Sequence, residues 1–317
     1  MATAVLLAAP VQARDLPSPP SAADFARATA RVLSEPGFRS PLRVRDRFGG
    51  SSGGSGTATV PLPGAGALFP ANRILAIYGA PQLKSTALGK RRPRAAARLA
   101  VAQAKPYADL GERPVIPSFD LIGVVANSTA GTDRLYRTRQ PATLIDQYLK
   151  QARAMGGRLM IDIQPGRSPV LDELDAMAPW IGQPDVDVAI DPEWNVGPRG
   201  IPGRTAGSIT ARDVNLASRR VQAIVDEGDL PPKVMVVHQF SRSSIRRRSR
   251  IKQRPGVEVT LNFDGIGAPA PKIAGYRDLA VAGLSNGFSL FYDLDTPLMK
   301  PGAVLALDPV VDFLLYQ

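Results

Sequence analysis

Asp162, Asp191, His238, Asp264 and Asp293 each stand at or near the end of an apolar, strand-like run. Loop-like sequence follows every one: "QPGRSP", "PEWNVGPRGIPGR", "QFSRS", "GIGAPAP" and "LDTP". Ionisable groups converging on one rim would be costly if idle, because burying charge needs compensation. The stretch "VAIDPEW" (188–194) adds Glu193, two residues after Asp191. Two carboxyl groups, one of them protonated to assist the leaving group, are what hydrolysis of a glycosidic bond uses. Glu193 is therefore the candidate general acid, with Asp162 or Asp264 as the second carboxylate and Asp191 in support. Proline cannot donate to a central ladder, so Pro192 ends the strand and puts Glu193 on the first turn of the loop. Tyr78, Gln164, His238 and Tyr292 are candidate contacts to sugar hydroxyls. Trp194 offers a flat apolar wall, and Arg167, Gln239 and Asp293 complete the substrate-binding set. No residue is assigned to a metal and no cofactor is expected.

Such side chains need elements to aim them. Eight apolar runs supply these: 73–80, 118–127, 158–164, 186–191, 233–240, 257–264, 287–294 and 312–317. In the fourth, Asp187, Ala189 and Asp191 share one face; in the sixth, Thr260, Asn262 and Asp264 do; in the third, Asp162 and Gln164 lie opposite Ile161 and Ile163. This period-2 alternation gives an aliphatic layer toward helices and a polar layer inward. Helical stretches intervene. "PATLIDQYLKQARAMGG" ends in two glycines suited to a left-handed cap. Ser168 is a plausible N-cap with Pro169 at the first helical position, and another helix runs from Thr210 to Gly228. "TPLMKPGAVLAL" opens at Thr296-Pro297 and is expected to break at Pro301-Gly302, and the arginine-rich stretch at 241–254 is expected on the helix after strand five. Eight strands alternating with helices predict a (β/α)8 TIM-like barrel over 71–317. The competing doubly wound sheet loses support because neither G-x-G-x-x-G nor G-x-x-x-x-G-K-[ST] occurs. The last strand ends the sequence, so the eighth helix is missing, and a short amphipathic helix at 22–35 is a candidate to cover the gap.

The remaining sequence bears on location and partners. Residues 1–13 read as a short signal peptide, without the usual basic segment, ending in a small-residue cleavage site. Residues 14–70 form a flexible Pro/Gly/Ser-rich leader around the 22–35 helix. The chain is 317 residues long with net charge +11 and no cysteine. Disulfides and thiolate metal sites are thereby excluded, and a single histidine excludes a multi-histidine zinc site. No apolar run is long enough to span a membrane. Seven basic residues crowd into 241–254, and a second cluster lies at 90–98. Either is a solvated face or a surface for a polyanion. Aromatic residues are not interleaved with these arginines, which argues against a stacking-type single-strand binder.

The Asp191-Pro192-Glu193 triplet at the end of a fourth barrel strand resembles the Asp-X-Glu of chitinase-like hydrolases and of certain muramidases. That resemblance implies Glu193 as general acid with Asp191 orienting it, although the Asp/Gly run preceding the chitinase motif is absent. Over 73–317, "ILAIYGAP", "DIQPGR", "AIDPEW", "VVHQF", "LNFDGIG" and "LFYDLDT" resemble a group of secreted, lipoprotein-like actinobacterial proteins. This second resemblance implies the barrel boundaries and an exported location but names no substrate. The resulting expectation is a secreted or cell-wall-associated glycoside hydrolase acting on a cell-wall or extracellular polysaccharide, with an anionic polymer among the expected partners. Two alternatives stand beside it: a metal-dependent phosphodiesterase using Asp162, Asp191, Glu193 and Asp264 with His238, and a non-catalytic wall-associated carbohydrate-binding protein.

Overall fold

The computed structural model describes residues 67–317. The expected signal segment, the 22–35 helix and nearly all of the leader lie outside the described residues. Eight strands follow in order: β1 (Arg73–Gly79), β2 (Val115–Ala126), β3 (Arg158–Ile163), β4 (Val186–Ile190), β5 (Lys233–Gln239), β6 (Val257–Phe263), β7 (Ser285–Leu290) and β8 (Phe313–Tyr316). Each pairs in parallel with the next, and β8 returns to β1 through Ile74↔Phe313, so the sheet closes on itself. Helices α1 (Pro93–Leu110), α2 (Ala142–Ala154), α3 (Val170–Ile181), α4 (Ala211–Gly228), α5 (Pro269–Leu279) and α6 (Pro301–Leu305) fill six of the seven connections between successive strands, all but that from β5 to β6. The fold is a (β/α)8 TIM-like barrel. Among the described residues, no helix is long and apolar enough to cross a membrane.

Strand alternation sorts the side chains into two cores. Leu75, Ile77, Val188, Ile190, Met235 and Val237 face the helices, while Ala76, Met160, Ala189, Val236 and Leu315 face the barrel axis. The N-terminal end of the barrel is plugged. Leu68 and Phe69, which composition assigns to the leader, are buried in the inner core, and their amides donate to the Glu258 carboxylate. Above them Arg158 and Asp187 form a bidentate pair, Nε to Oδ2 at 2.6 Å and Nη2 to Oδ1 at 2.9 Å. The Val234 amide also donates to Asp187 Oδ1 at 2.9 Å. Both side chains are shut off from water, and removing one partner of such a pair strands the other charge. Asp187→Asn is expected to cost about 3 kcal/mol. Urea unfolding measures this, and a loss within experimental error of zero would show the pair to be dispensable.

Local chemistry accounts for most helix boundaries. Thr210 and Asp213 cap α4 reciprocally, with the Asp213 amide donating to Thr210 Oγ1 at 3.2 Å and the Thr210 amide to Asp213 Oδ2 at 3.1 Å. Three expectations change. Helix α3 starts one residue late, with extended Pro169 at the cap position and no Ser168 cap. Pro301 does not break the last helix but opens it, since its missing N–H costs nothing in a first turn. The arginine-rich segment after β5 is not an α-helix. It holds a two-residue strand, Ile245–Arg246, and a short 3-10 turn, Arg248–Arg250. Ile245 and Ile251 are its only apolar side chains, six residues apart, too few to give a helix a buried stripe.

Candidate active site

The inward-facing polar residues gather at the C-terminal ends of the strands. From β1 comes Tyr78, from β3 Asp162 and then Gln164, from β4 Asp191, from β5 His238, from β6 Asn262 and Asp264, and from β7 Ser289. His238 is the hub. Its Nδ1 lies 2.7 Å from Asp264 Oδ2, and its Nε2 lies 3.7 Å from Asp120 Oδ2. Burial works against a charge on this ring, but Asp264, Asp120 and Asp162 outweigh it and hold His238 protonated well above its ordinary range. Asp264 is further fixed by Asn262, whose Nδ2 donates to Oδ1 at 2.6 Å, and by the Ser289 hydroxyl. Gln164 Nε2 donates to Tyr78 Oη at 3.1 Å while its Oε1 accepts from the Ala126 amide at 3.1 Å, so both side chains are locked in place.

Three acids crowd beside this hub and resist ionisation. Asp162 is wholly buried, and neither of its oxygens finds a well-formed hydrogen bond in the chain. Burial first, then the Asp120 charge, push it up to about 8. Burial and the neighbouring Glu193 and Asp162 raise Asp191 well above the usual carboxyl range. Glu193 is pushed up to about 7 by burial and then by Asp264, with His238 opposing. It is also the least enclosed of the three, being half-buried where the two aspartates are buried. A half-titrated carboxyl at neutral pH beside a second, hydrogen-bonded carboxyl is suited to giving and taking protons.

The backbone around Glu193 explains its direction. Pro192–Trp194 form a single 3-10 turn directly after β4. The Glu193 carbonyl accepts from the Gly207 amide at 2.7 Å, which folds the Gly/Pro-rich loop back on itself. A Cβ on Gly207 would sit 2.5 Å from the Pro192 carbonyl oxygen, so only glycine allows this approach. The Val196 amide reaches the Gly166 carbonyl at 3.1 Å, tying the loop after β4 to the loop after β3.

The structure brings together Asp162, Asp191, Glu193, Asp264, His238, Tyr78 and Gln164. Trp194 is half-buried on the same turn as Glu193. Four other candidates lie elsewhere. Gln239 follows His238 by one residue and so points to the opposite face, donating to the Leu279 carbonyl at 3.0 Å. Tyr292 packs 5.3 Å from Tyr316 in the helix-facing layer. Asp293 is exposed and paired with Lys90 at 2.5 Å. Arg167 is a strap: its Nε donates to the Gly200 carbonyl at 2.7 Å, and its guanidinium lies 4.1 Å above the Tyr136 ring. Sequence reasoning did not single out Asp120, which faces the hub from mid-strand. A lone acid inside the apolar run "FDLIGVV" was the available signal.

Among the described residues, no group of three or more His, Cys, Asp or Glu side chains is arranged to hold a metal ion. Comparison with protein-family models and with curated proteins finds no match for this chain.

Proposed function

We propose that this protein is an exported glycoside hydrolase that cleaves a cell-wall or extracellular polysaccharide by carboxyl acid/base chemistry. The observation that carries the reading is the half-buried Glu193 on the turn directly after β4, on the same rim as the His238–Asp264 pair, where burial and Asp264 push its carboxyl up to about 7. Glu193 donates the proton to the departing glycosidic oxygen. Asp264 is the partner carboxylate, as nucleophile or as base toward water, and is preferred to Asp162 because Asp162 is sealed and carries its proton to about pH 8. Protonated His238, with Asn262 and Ser289, fixes Asp264 in one orientation. Asp191, Tyr78 and Gln164 line the same mouth and meet sugar hydroxyls. Barrel enzymes place their chemistry at this end of the strands, which agrees with the position of the cluster.

The test is turnover. Purified protein and its Glu193→Gln variant are incubated with peptidoglycan, arabinogalactan and a set of glucans, and new reducing ends are counted. Release by the parent and its loss in the variant are expected. If the parent releases nothing from any polymer, or the variant matches it, the reading fails.

A further inference from the structure

The start of α4 and the arginine-rich segment after β5 enclose a groove of about 890 Å³. Arg212 and Arg219 line it from the helix; Arg246, Arg247, Arg250 and Lys252 line it from the segment. Among the described residues, none of these six cations pairs with an acid. Their neighbours do: Arg220 pairs with Asp175 at 2.5 Å, and Arg242 pairs with Asp278. The one acid in the lining, Asp213, is committed to the cap of α4. Six cations without an acid partner thus face one concavity, where like charges repel and the positive potential is focused.

The segment that carries four of the six is not a loose solvated tail. Asn215 of α4 holds it with both side-chain polar atoms, its Nδ2 donating to the Arg250 carbonyl at 2.9 Å and its Oδ1 accepting from the Lys252 amide at 2.9 Å. Arg254 Nε donates to Ser218 Oγ at 3.0 Å, and Ile209–Thr210 pairs in parallel with Ile245–Arg246. Arg247 is held at φ 57, a conformation that non-glycine residues take only when their surroundings enforce it. The backbone that carries these cations is thus ordered before any ligand arrives, which leaves only their side chains to be ordered on binding.

Five of the six are arginines, whose planar forks match phosphate oxygens two at a time. Six charges along two walls call for several anionic groups in series rather than a single ion. No aromatic side chain lines the groove, so nothing there stacks a base. We propose that this groove binds a linear, phosphate-bearing polyanion without bases. The two walls begin in the chain after β4 and β5 respectively. The inference stands on the groove alone and does not depend on the hydrolase reading.

Binding of fluorescent long-chain inorganic polyphosphate to the full chain tests it, by anisotropy over a series of salt concentrations. Affinity should fall steeply with salt, and changing Arg246, Arg247 and Arg250 together to Ser should weaken it at least about tenfold and flatten the salt slope. Changing Arg92, Arg94 and Arg98 of the α1 region to Ser removes the same charge elsewhere and should alter affinity less than about twofold. Should the first triple variant fail to melt cooperatively, Arg212→Gln with Arg219→Gln on the opposite wall carries the same test. The proposal is overturned by no binding, by equal loss in groove and control variants, by displacement with orthophosphate at equal phosphate concentration, or by oligothymidylate binding as tightly as polyphosphate.

Discussion

Glu193→Gln is expected to lower kcat about 10²- to 10⁴-fold on a natural polysaccharide while leaving KM nearly unchanged, the usual range for losing a general acid. Glutamine keeps the shape and hydrogen-bonding capacity of the side chain but has no proton to give. The parent's kcat/KM should fall as pH rises through about 7, because Glu193 must be protonated to act and loses its proton there. In the variant that descending limb should disappear from whatever activity remains. Aryl glycosides with an acidic leaving group need little protonation, so on these the variant should lose far less. An equal loss on both substrate types would show that Glu193 does not protonate the leaving group. The pH limb, the leaving-group dependence and the KM separate a proton donor from a residue that merely shapes the pocket.

Strand parity and strand ends made most of the site legible. His238 and Asp264 meet at 2.7 Å although they are 26 residues apart, because adjacent parallel strands bring their C-terminal ends to the same rim. The same rule explains the failures. Gln239 is one residue from His238 and therefore on the other face, whatever its chemistry. Tyr292 and Asp293 were placed by extending the seventh strand to residue 294, but β7 ends at Leu290, and alternation has no meaning beyond the ladder. Asp120 was passed over for the converse reason. The long β2 passes the level of the hub before it ends, so a mid-strand residue faces His238. The register shift between Ile122 and Val124 then changes which residues point inward, and no spacing in the sequence marks it. Gly123 marks the place: a Cβ there would lie 2.5 Å from Ile161 Cγ2.

Helices were legible where caps or an apolar stripe wrote them, as at Thr210 with Asp213. The segment after β5 was assigned by the rhythm of the fold rather than by its own residues, and rhythm alone does not bury a helix. Its arginines instead follow the route set by two buried isoleucines and by Asn215. A six-cation groove is the consequence, and it depends on the spatial approach of α4, which lies about thirty residues earlier in the chain and meets the segment through Asn215 and Ser218.

Asp162→Asn is expected to remove a large part of the pH dependence of stability. In the folded barrel this carboxyl keeps its proton up to about pH 8. In the unfolded chain it ionises near pH 4. Between those values the native state holds the extra proton, so unfolding free energy falls as pH rises, and the decline ends above about pH 8. One pH unit of such linkage is about 1.4 kcal/mol, so the interval from about pH 5 to about pH 8.5 spans on the order of 4 kcal/mol. Asparagine has no proton to lose and fits the same space, so the variant's curve should be flatter and cross above the parent's at alkaline pH. Asp120, Asp191 and His238 surround the position and titrate in both proteins, which is why the difference between the curves is the quantity to measure. Urea unfolding of both proteins at the two pH values supplies it. Parallel curves would mean that Asp162 ionises in the native barrel as freely as in water, and that a buried cluster of acids does not set the protonation of this site.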